Sequence, residues 1–165
     1  SDGVQGDGSS YYASISSDWR YVAFLSLSTN LVNGDTNGSK DIFVHDRQTG
    51  ETRRVSVRTN GVQGEGSSKN PSISSDCRYI AFYSSAPNLV NNDTNGEKDI
   101  FVHDRETGKT KRISVNTTGV QADGGSYNPS MSSDGRYMAY DSDATNLVNG
   151  DTNGVSDIFV TELNI

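Results

Sequence analysis

The sequence predicts an all-β chain built from three copies of one small antiparallel sheet. Its apolar runs are only a few residues long, are rich in β-branched and aromatic side chains, and are bounded by Gly, Asn, Asp or Pro. This pattern is typical of strands joined by turns. In addition, the same phrases recur at one fixed spacing along the chain. Because such small units cannot bury their apolar faces alone, we expect them to stack side by side.

The repeat is 58 residues long, with no insertion or deletion between copies. It is marked by G-V-Q at Val4, Val62 and Val120, by the turn residues Asp18, Asp76 and Asp134, and by Asp-Thr-Asn-Gly at Asp35, Asp93 and Asp151. We therefore divide a single domain, residues 1–165, into copies at about residues 3–60, 61–118 and 119–165.

The second copy illustrates the strands expected in each unit. Four segments, PSISS, RYIAFYS, DIFVHD and TKRISV, follow one another as strands a to d. Strand b (78–84) and strand c (99–104) carry apolar residues on both faces, as in sheets that are covered on both sides. Strand d alternates polar and apolar residues, which suits an outer strand. A four-stranded antiparallel sheet packed between copies of itself is a β-propeller blade.

The third copy stops just after strand c, so we predict a last blade without its outer strand. Three blades cannot close a ring, because propellers typically have about four to eight blades, and the two end blades would expose apolar surface. We expect a homodimer in which two half-rings form one six-bladed propeller. The alternative is that the chain is part of a longer propeller. In either case the last blade keeps an edge that can accept a partner strand.

The motifs PSISSDCRYIAF and DIFVHD, followed by a Thr-Gly turn, resemble the TolB-like β-propeller repeat family. The resemblance covers nearly the whole chain and implies the propeller fold. It does not imply one function, because such repeats occur in translocation-accessory proteins, peptidase propeller domains and other exported proteins. The family's Gly after the turn Asp is kept only as Gly135, with Trp19 and Cys77 in the other copies. If this position needs a left-handed backbone, each replacement costs about 1 kcal/mol.

The composition of the chain limits the classes of partner that it can bind. With 14 Lys and Arg against 21 Asp and Glu, the chain lacks the basic surface that nucleic acids and anionic membranes require. No apolar run is long enough to insert into a membrane, and Cys77 alone cannot form an intrachain disulfide. The abundance of Gly, Ser, Asn and Asp favours an extracellular or periplasmic location.

Each copy carries a loop between strands b and c with the spacing of a calcium-binding loop. Oxygen-bearing side chains alternate around a Gly that permits the sharp turn. The candidate calcium ligands are Asn33, Asp35, Asn37, Asp41, Asn91, Asp93, Asn95, Asp99, Asn149, Asp151, Asn153 and Asp157. With two carboxylates per loop and no bidentate Glu, binding would be weak. The alternative is a metal-free turn in which Asp and Asn bond their own backbone, and the last Asp anchors strand c. Apart from calcium, we expect no cofactor.

A second set of candidate residues lies at the start of strand a, where the copies differ most in bulky polar side chains. These candidate ligand-binding residues are Tyr11, Tyr12, Lys69, Asn70, Tyr127 and Asn128. Strand a lines the central channel of a propeller, so they should surround one channel mouth, where Tyr and Asn suit a peptide or a sugar. The alternative is that they only pack the blade entrance.

No catalytic constellation is evident in the sequence. His45 and His103 recur in strand c, but the third copy has Thr161, and no partnered nucleophile or metal triad accompanies them. We therefore expect a non-enzymatic propeller scaffold that self-assembles and binds protein or peptide ligands. The alternative is a calcium-stabilised, lectin-like propeller with one shallow glycan site per repeat. We favour the scaffold because Lys69 replaces Tyr11 and Tyr127 at the equivalent position.

Overall fold

The computed structural model of the chain describes residues 5–164, and this range contains eleven β-strands in three antiparallel sheets. The first sheet is β1 (Ser10–Ile15), β2 (Tyr21–Ser26), β3 (Asp41–Asp46) and β4 (Thr52–Arg54). The second is β5 (Ser68–Ile73), β6 (Tyr79–Ser84), β7 (Asp99–Asp104) and β8 (Lys109–Arg112). The third is β9 (Ser126–Met131), β10 (Tyr137–Ser142) and β11 (Asp157–Glu162). Among the described residues, no helix is long and apolar enough to cross a membrane.

Each sheet is one blade, numbered 1 to 3, with its strands side by side in chain order. The innermost strands β1, β5 and β9 begin at residues 10, 68 and 126, so the structure repeats at the spacing of the sequence. Blades 1 and 2 have four strands, and blade 3 has three. Within residues 5–164, the predicted all-β fold is confirmed, and the last blade has no outer strand, as predicted. Val4, the first marker of the repeat, lies outside the described residues.

The predicted strand boundaries differ from the observed ones mainly at the sheet edges. Strand c of the second copy has the predicted bounds, 99–104, and strand b begins one residue later than predicted, at Tyr79. The outer strand β8 ends at Arg112 instead of continuing to Val115. The reason is that the Ser114 hydroxyl accepts the Ile100 N–H, while Val115 forms an isolated bridge with Gln121.

Adjacent blades bury apolar side chains between them. We call the side of a blade that packs on the following blade its forward face, and the opposite side its rear face. Between blades 1 and 2, the forward face of Ala23, Leu25, Ile42, Val44 and Val55 packs against the rear face of Ile80, Phe82, Ala86, Leu89 and Phe101. The same contact recurs one blade further on, where Ile100 and Val102 meet Met138 and Tyr140. Full burial of each large side chain contributes about 1.5–3 kcal/mol.

The turn between strands a and b connects consecutive blades. The Ser17 N–H donates to the Ser75 carbonyl at 3.2 Å, and the Ser75 N–H donates to the Ser133 carbonyl at 2.8 Å. The residues at the family's Gly position have left-handed φ angles of 61° at Trp19, 58° at Cys77 and 71° at Gly135. The left-handed backbone considered from the sequence is thus present in all three copies.

Candidate functional site

In blade 1, the loop between β2 and β3 surrounds an arginine from the outer strand. Arg54 Nη1 lies 3.1 Å from Asp35 Oδ1 and 3.4 Å from Asp41 Oδ2. Its Nη2 donates to the Gly34 carbonyl at 3.4 Å. The side chains of Asp35 and Asp41 are almost fully buried, and that of Arg54 is 9% exposed. A guanidinium therefore lies between the two carboxylates that the sequence predicted as calcium ligands.

Blade 2 repeats this carboxylate–guanidinium cluster. Arg112 Nη1 lies 3.1 Å from Asp93 Oδ1 and 3.2 Å from Asp99 Oδ2, and its Nη2 donates to the Asn92 carbonyl at 3.4 Å. Since the two clusters come from independent copies of the repeat and agree closely in distances, the arrangement is a property of the repeat unit.

A serine two residues after each arginine completes the contacts of the strand c aspartate. Ser56 Oγ donates to Asp41 Oδ1 at 2.5 Å and accepts the Ile42 N–H at 3.1 Å. Ser114 makes the equivalent contacts to Asp99 and Ile100 at the same distances. The outer strand thus supplies both a cation and a hydroxyl to the loop.

The asparagine of each Asp-Thr-Asn-Gly phrase closes the turn. Asn37 Oδ1 accepts the Ser39 N–H at 2.9 Å, while its Nδ2 donates to Asp41 Oδ2 at 2.9 Å and to the Gly64 carbonyl at 2.8 Å. Asn95 in blade 2 makes the equivalent bonds. Gly38 has the left-handed φ of 62° that the turn requires. This is the geometry of the metal-free alternative, and calcium binding stays a prediction.

The first position of each candidate calcium loop is the part least tied into the cluster. Asn33, Asn91 and Asn149 are exposed, and the amide oxygen of Asn91 accepts a hydrogen bond from Arg58. Within residues 5–164, no three acidic, histidine or cysteine side chains form a group suited to a metal ion.

Blade 3 has the same loop without an arginine. Asn153 Nδ2 donates to Asp157 Oδ2 at 2.8 Å, as in the other copies. No β4-like strand follows β11 among the described residues. Instead, Asp151 and Asp157 line an open pocket of about 510 Å³ together with Ile158, Phe159 and Val160. The loop that blades 1 and 2 close with their own outer strand is therefore open in blade 3.

The electrostatics of the loops follow from burial. Burial and the neighbouring Asp99 carboxylate together raise the pKa of Asp93 to about 6, against the opposing effect of the Arg112 guanidinium. Burial likewise raises the pKa of Asp35, against the opposing charge of Arg54. Two carboxylates held this close in a buried loop require a positive charge between them.

The candidate residues of the channel mouth lie on the innermost strands, which contact one another. Asn70 Nδ2 donates to Asn128 Oδ1 at 2.6 Å, linking blades 2 and 3. The ring of Tyr127 meets that of Tyr83 edge to face at 5.6 Å, and Lys98 Nζ lies 5.3 Å from the centroid of Tyr127. The structure thus brings three of the six predicted residues into contacts between blades 2 and 3.

The remaining channel-mouth candidates are less enclosed. Tyr11 and Tyr12 are more than half exposed, with their ring centroids 6.4 Å apart, and Lys69 is half-buried. Tyr12 occupies the left-handed region at φ 54°, at the same strand bulge where Asn70 and Asn128 have φ 51°. Asn tolerates this conformation, whereas for Tyr it costs about 1–2 kcal/mol. Tyr12 is therefore a strained and exposed aromatic residue.

Both histidines of strand c bond a threonine of the neighbouring outer strand. His45 Nδ1 lies 3.0 Å from Thr52 Oγ1, and His103 Nδ1 lies 2.9 Å from Thr110 Oγ1. Burial lowers the pKa of His103 to about 4. The imidazole of His103 is therefore neutral at pH 7, and it takes part in pairing strands c and d.

Sequence reasoning missed the arginines and serines of the outer strands, Arg54, Ser56, Arg112 and Ser114. A signal for them was present, since the order Thr-x-Arg-(Val or Ile)-Ser recurs 58 residues apart in both copies that have an outer strand. An arginine repeated at a fixed distance after an acidic loop indicates a partner for that loop.

Three repeated antiparallel blades, stacked through equivalent faces and linked at their inner turns, define the chain as a partial β-propeller. Solved structures with this fold match it. The putative TolB from Agrobacterium tumefaciens matches with a TM-score of 0.61 and 19% identity over 94% of this chain and 46% of its own. TolB from Acinetobacter baumannii matches with a TM-score of 0.56 and 20% identity, over 95% of this chain and 30% of its own. The tricorn protease matches with a TM-score of 0.57 and 18% identity, over 96% of this chain and 14% of its own.

At these identities the similarity establishes the fold alone. The chain spans less than half the length of each of these structures. No protein-family model matches the chain, and no curated protein sequence matches it.

Proposed function

We propose that the chain is a non-enzymatic propeller scaffold that assembles with a second copy into a six-bladed ring and binds protein or peptide ligands. The main support for this proposal is the exposure of apolar side chains on the forward face of blade 3. Ile158 and Val160 are 72% and 69% exposed, whereas their equivalents in blade 2, Ile100 and Val102, are 0% and 1% exposed because blade 3 covers them.

The rear face of blade 1 is the natural complement. Its residues Val22 and Phe24 are equivalent to Ile80 and Phe82, which cover the forward face of blade 1 inside the chain. The forward face of blade 3 is thus exposed, and Val22 and Phe24 on the rear face of blade 1 are half-buried in the single chain. Two copies related by a two-fold axis would bury both faces at two identical junctions and leave no blade face open.

An aromatic contact at the proposed junction follows from the internal ones. A side chain added at Gly135 of blade 3 would meet the Tyr79 ring of blade 2 at 2.8 Å, so the left-handed turn position of each blade lies against the tyrosine of the preceding blade. In the proposed ring, Trp19 of one copy would lie against Tyr137 of the other. Trp19 and Tyr137 are 70% and 41% exposed in the single chain.

Ligand binding is proposed for the channel mouth, where Tyr11, Tyr12 and Tyr127 offer aromatic surface with polar tips. The pairing of His45 and His103 with threonines supports a role without catalysis. We propose an extracellular or periplasmic location on the composition of the chain.

Light scattering tests the assembly. The chain should have about twice its mass of 17.8 kDa, and Val160→Asp should return it to the single-chain mass, because a carboxylate would be buried at the junction. Val120→Asp is the matched control: Val120 is 53% exposed, and its equivalent Val62 is 49% exposed although blades lie on both sides of it. A wild-type chain that stays single at all concentrations contradicts the assembly.

Ligand class is tested separately on peptide and glycan arrays. Peptide binding that is lost in Tyr12→Ala supports the scaffold proposal. Binding of glycans with one site per repeat would contradict it in favour of a lectin.

A further inference from the structure

A cavity of about 250 Å³ lies between the outer strand of blade 1 and blade 2. It is lined by β4 and the segment after it on one side, and by His103, Arg105 and Gly108 on the other. Three of its side chains are guanidinium groups, those of Arg53, Arg54 and Arg105, and no Asp or Glu is among the described residues that line it. We call it the arginine cavity. In a chain with a formal net charge of −7, it is a local concentration of positive charge.

The three guanidinium groups differ in how far carboxylates neutralise them. Arg54 lies between the two loop carboxylates of its own blade, and Arg53 pairs with an exposed glutamate. Within residues 5–164, Arg105 pairs with no carboxylate. Its Nη1 donates to the Cys77 carbonyl at 2.9 Å, and its Cζ lies 4.5 Å from the centroid of the Tyr21 ring. These contacts hold the guanidinium in place and leave its other N–H donors for a ligand.

The side chain of His103, which also lines the arginine cavity, is held in one tautomer. The Thr110 hydroxyl donates its single proton to the Val57 carbonyl at 2.5 Å. His103 Nδ1 lies 2.9 Å from the same hydroxyl oxygen, so Nδ1 must carry the ring proton and donate it. Nε2 therefore keeps a free lone pair. Since burial lowers the pKa of His103 to about 4, the ring stays neutral at pH 7.

The Nε2 lone pair of His103 is a hydrogen-bond acceptor without a donor. His103 is 7% exposed, and its Nε2 forms no hydrogen bond within residues 5–164. Arg54 Nε is the single buried polar side-chain atom without a partner in that range, so Nε2 is not closed off by protein and opens to the arginine cavity. Because buried polar groups normally have a partner, this position suits a ligand with a proton to donate.

These groups select one class of ligand. Guanidinium donors bind oxyanions through charge-assisted hydrogen bonds, whereas the imidazole lone pair needs a hydrogen-bond donor. Hydrogen phosphate offers both, since it has negative oxygens and an O–H group. Sulfate is fully ionised at neutral pH and offers no donor, and a metal ion would be repelled by the guanidinium charges. The volume of the cavity is below the range of about 300–1,000 Å³ for drug-sized ligands, so a small anion fits it.

We propose that the arginine cavity binds a hydrogen phosphate group, with its charged oxygens on Arg53 and Arg105 and its O–H donating to His103 Nε2. The group is either free phosphate or the end of a phosphate monoester. The inference goes beyond the proposed function, and it depends neither on the assembly of two copies nor on the ligand of the channel mouth.

Isothermal titration calorimetry of the full chain with inorganic phosphate and with sulfate, at pH 7 and constant ionic strength, tests the proposal. We expect one phosphate per chain, and sulfate should bind at least about tenfold more weakly, because it leaves the His103 acceptor without a donor. This comparison uses the wild-type chain and does not depend on the folding of a variant. Equal affinities for the two anions would overturn the proposal, and so would the absence of saturable binding of both phosphate and a phosphate monoester up to about 10 mM.

Arg105→Met tests the cation, because it removes the guanidinium and keeps an unbranched stem. It should weaken phosphate and sulfate alike by at least about tenfold. Arg47→Met is the matched control: Arg47 is the equivalent residue of blade 1, is exposed, donates to the Trp19 carbonyl at 2.8 Å and does not line the arginine cavity. It should change the affinity less than about threefold. Equal losses in the two variants would mean that the anions respond only to net charge, which contradicts the proposal.

His103→Asn tests the acceptor. The amide nitrogen of Asn takes the place of imidazole Nδ1 and can still donate to Thr110, whereas nothing replaces Nε2. In a variant with an unchanged circular dichroism spectrum, phosphate should bind no more tightly than sulfate, and sulfate should bind as it does to the wild type. A preference for phosphate that survives this substitution would contradict the proposed contact with His103.

Glycerol phosphate distinguishes the two sources of the phosphate group. A monoester that binds more tightly than inorganic phosphate, with the same loss in Arg105→Met, identifies the group as the end of a larger ligand. Tighter binding of inorganic phosphate identifies the free ion. Failure of both ligands refutes the phosphate site and leaves the proposed scaffold function intact, because assembly and channel-mouth binding are measured by light scattering and on arrays.

Discussion

Replacing the arginine of a carboxylate–guanidinium cluster should destabilise the fold far more than replacing its neighbour. In Arg54→Met, the stem of the side chain remains, but Asp35 and Asp41 lose the cation between them. The side chains of these aspartates are only 4% and 0% exposed, so water cannot replace the guanidinium. Removal of one partner from a buried ion pair costs about 3–5 kcal/mol of unfolding free energy.

The structure favours the lower end of that range. Arg54 Nε is buried without a hydrogen-bond partner, so the guanidinium is incompletely satisfied in the native state and its removal also relieves that cost. Asp35 can in addition become protonated, since burial already raises its pKa. We therefore expect a loss of about 3 kcal/mol at neutral pH. Arg53→Met is the matched control, because the Arg53–Glu51 pair is exposed and such pairs contribute at most about 1 kcal/mol.

Urea unfolding monitored by circular dichroism measures both variants. The Arg54→Met penalty should shrink as the pH falls from 8 towards the pKa of the unfolded carboxyl, since a carboxyl whose folded pKa is raised binds its proton more tightly in the folded state. Equal losses for Arg53→Met and Arg54→Met, or a penalty that is independent of pH, would show that the guanidinium does not balance the carboxylates.

Three further predictions concern the turn between strands a and b and the arginine that follows it. Cys77, whose pKa burial raises to about 11, should react with a thiol reagent at pH 8 only after unfolding; rapid reaction of the native chain would contradict its burial. In the Val160→Asp variant, which should be a single chain, Trp19→Gly should stabilise the fold by about 1 kcal/mol in urea, because Trp19 is exposed at a left-handed φ; a net loss there would mean that the indole packs within its own chain. Burial would raise the pKa of Asp104, but hydrogen bonds from Arg78 and from backbone N–H groups outweigh it and lower the pKa to about 2. The stability this gives is full above about pH 4 and lost towards pH 2, so Arg78→Met should be less acid-sensitive than the wild type; equal acid sensitivity would refute this role of Arg78.

The fold could be predicted because its determinants are local and are repeated three times. The apolar pattern of DIFVHD fixes a strand buried on both faces, and its bounds, 99–104, were predicted correctly. A fixed spacing of 58 residues without gaps then requires equivalent units side by side. The end of strand d could not be predicted, since it depends on the Ser114 side chain replacing a backbone partner of Ile100, a contact between distant parts of the chain.

The content of the loops could be predicted only in part. The sequence placed Asp35 and Asp41 in one loop, because Asp, Asn and Gly act within one turn, but the equally predicted Asn33 is exposed and takes no part in the contacts with Arg54. It did not identify the cation, because Arg54 follows Asp35 by a whole strand and a hairpin and reaches the loop only when β4 pairs with β3. Ligand spacing describes a cage of oxygens, and any cation of suitable size and position fills it.

Supplying that cation from a strand has a consequence that a free metal ion would not have. A metal ion binds its loop at an occupancy set by its concentration, whereas Arg54 and Arg112 reach their loops only through pairing of the outer strand. Order in the loop and completion of the blade are therefore one equilibrium in blades 1 and 2. The loop also bonds the next blade, through Asn37 to the Gly64 carbonyl and through Asn95 to the Ala122 carbonyl. An outer strand thus stabilises the junction to the following blade as well as its own sheet.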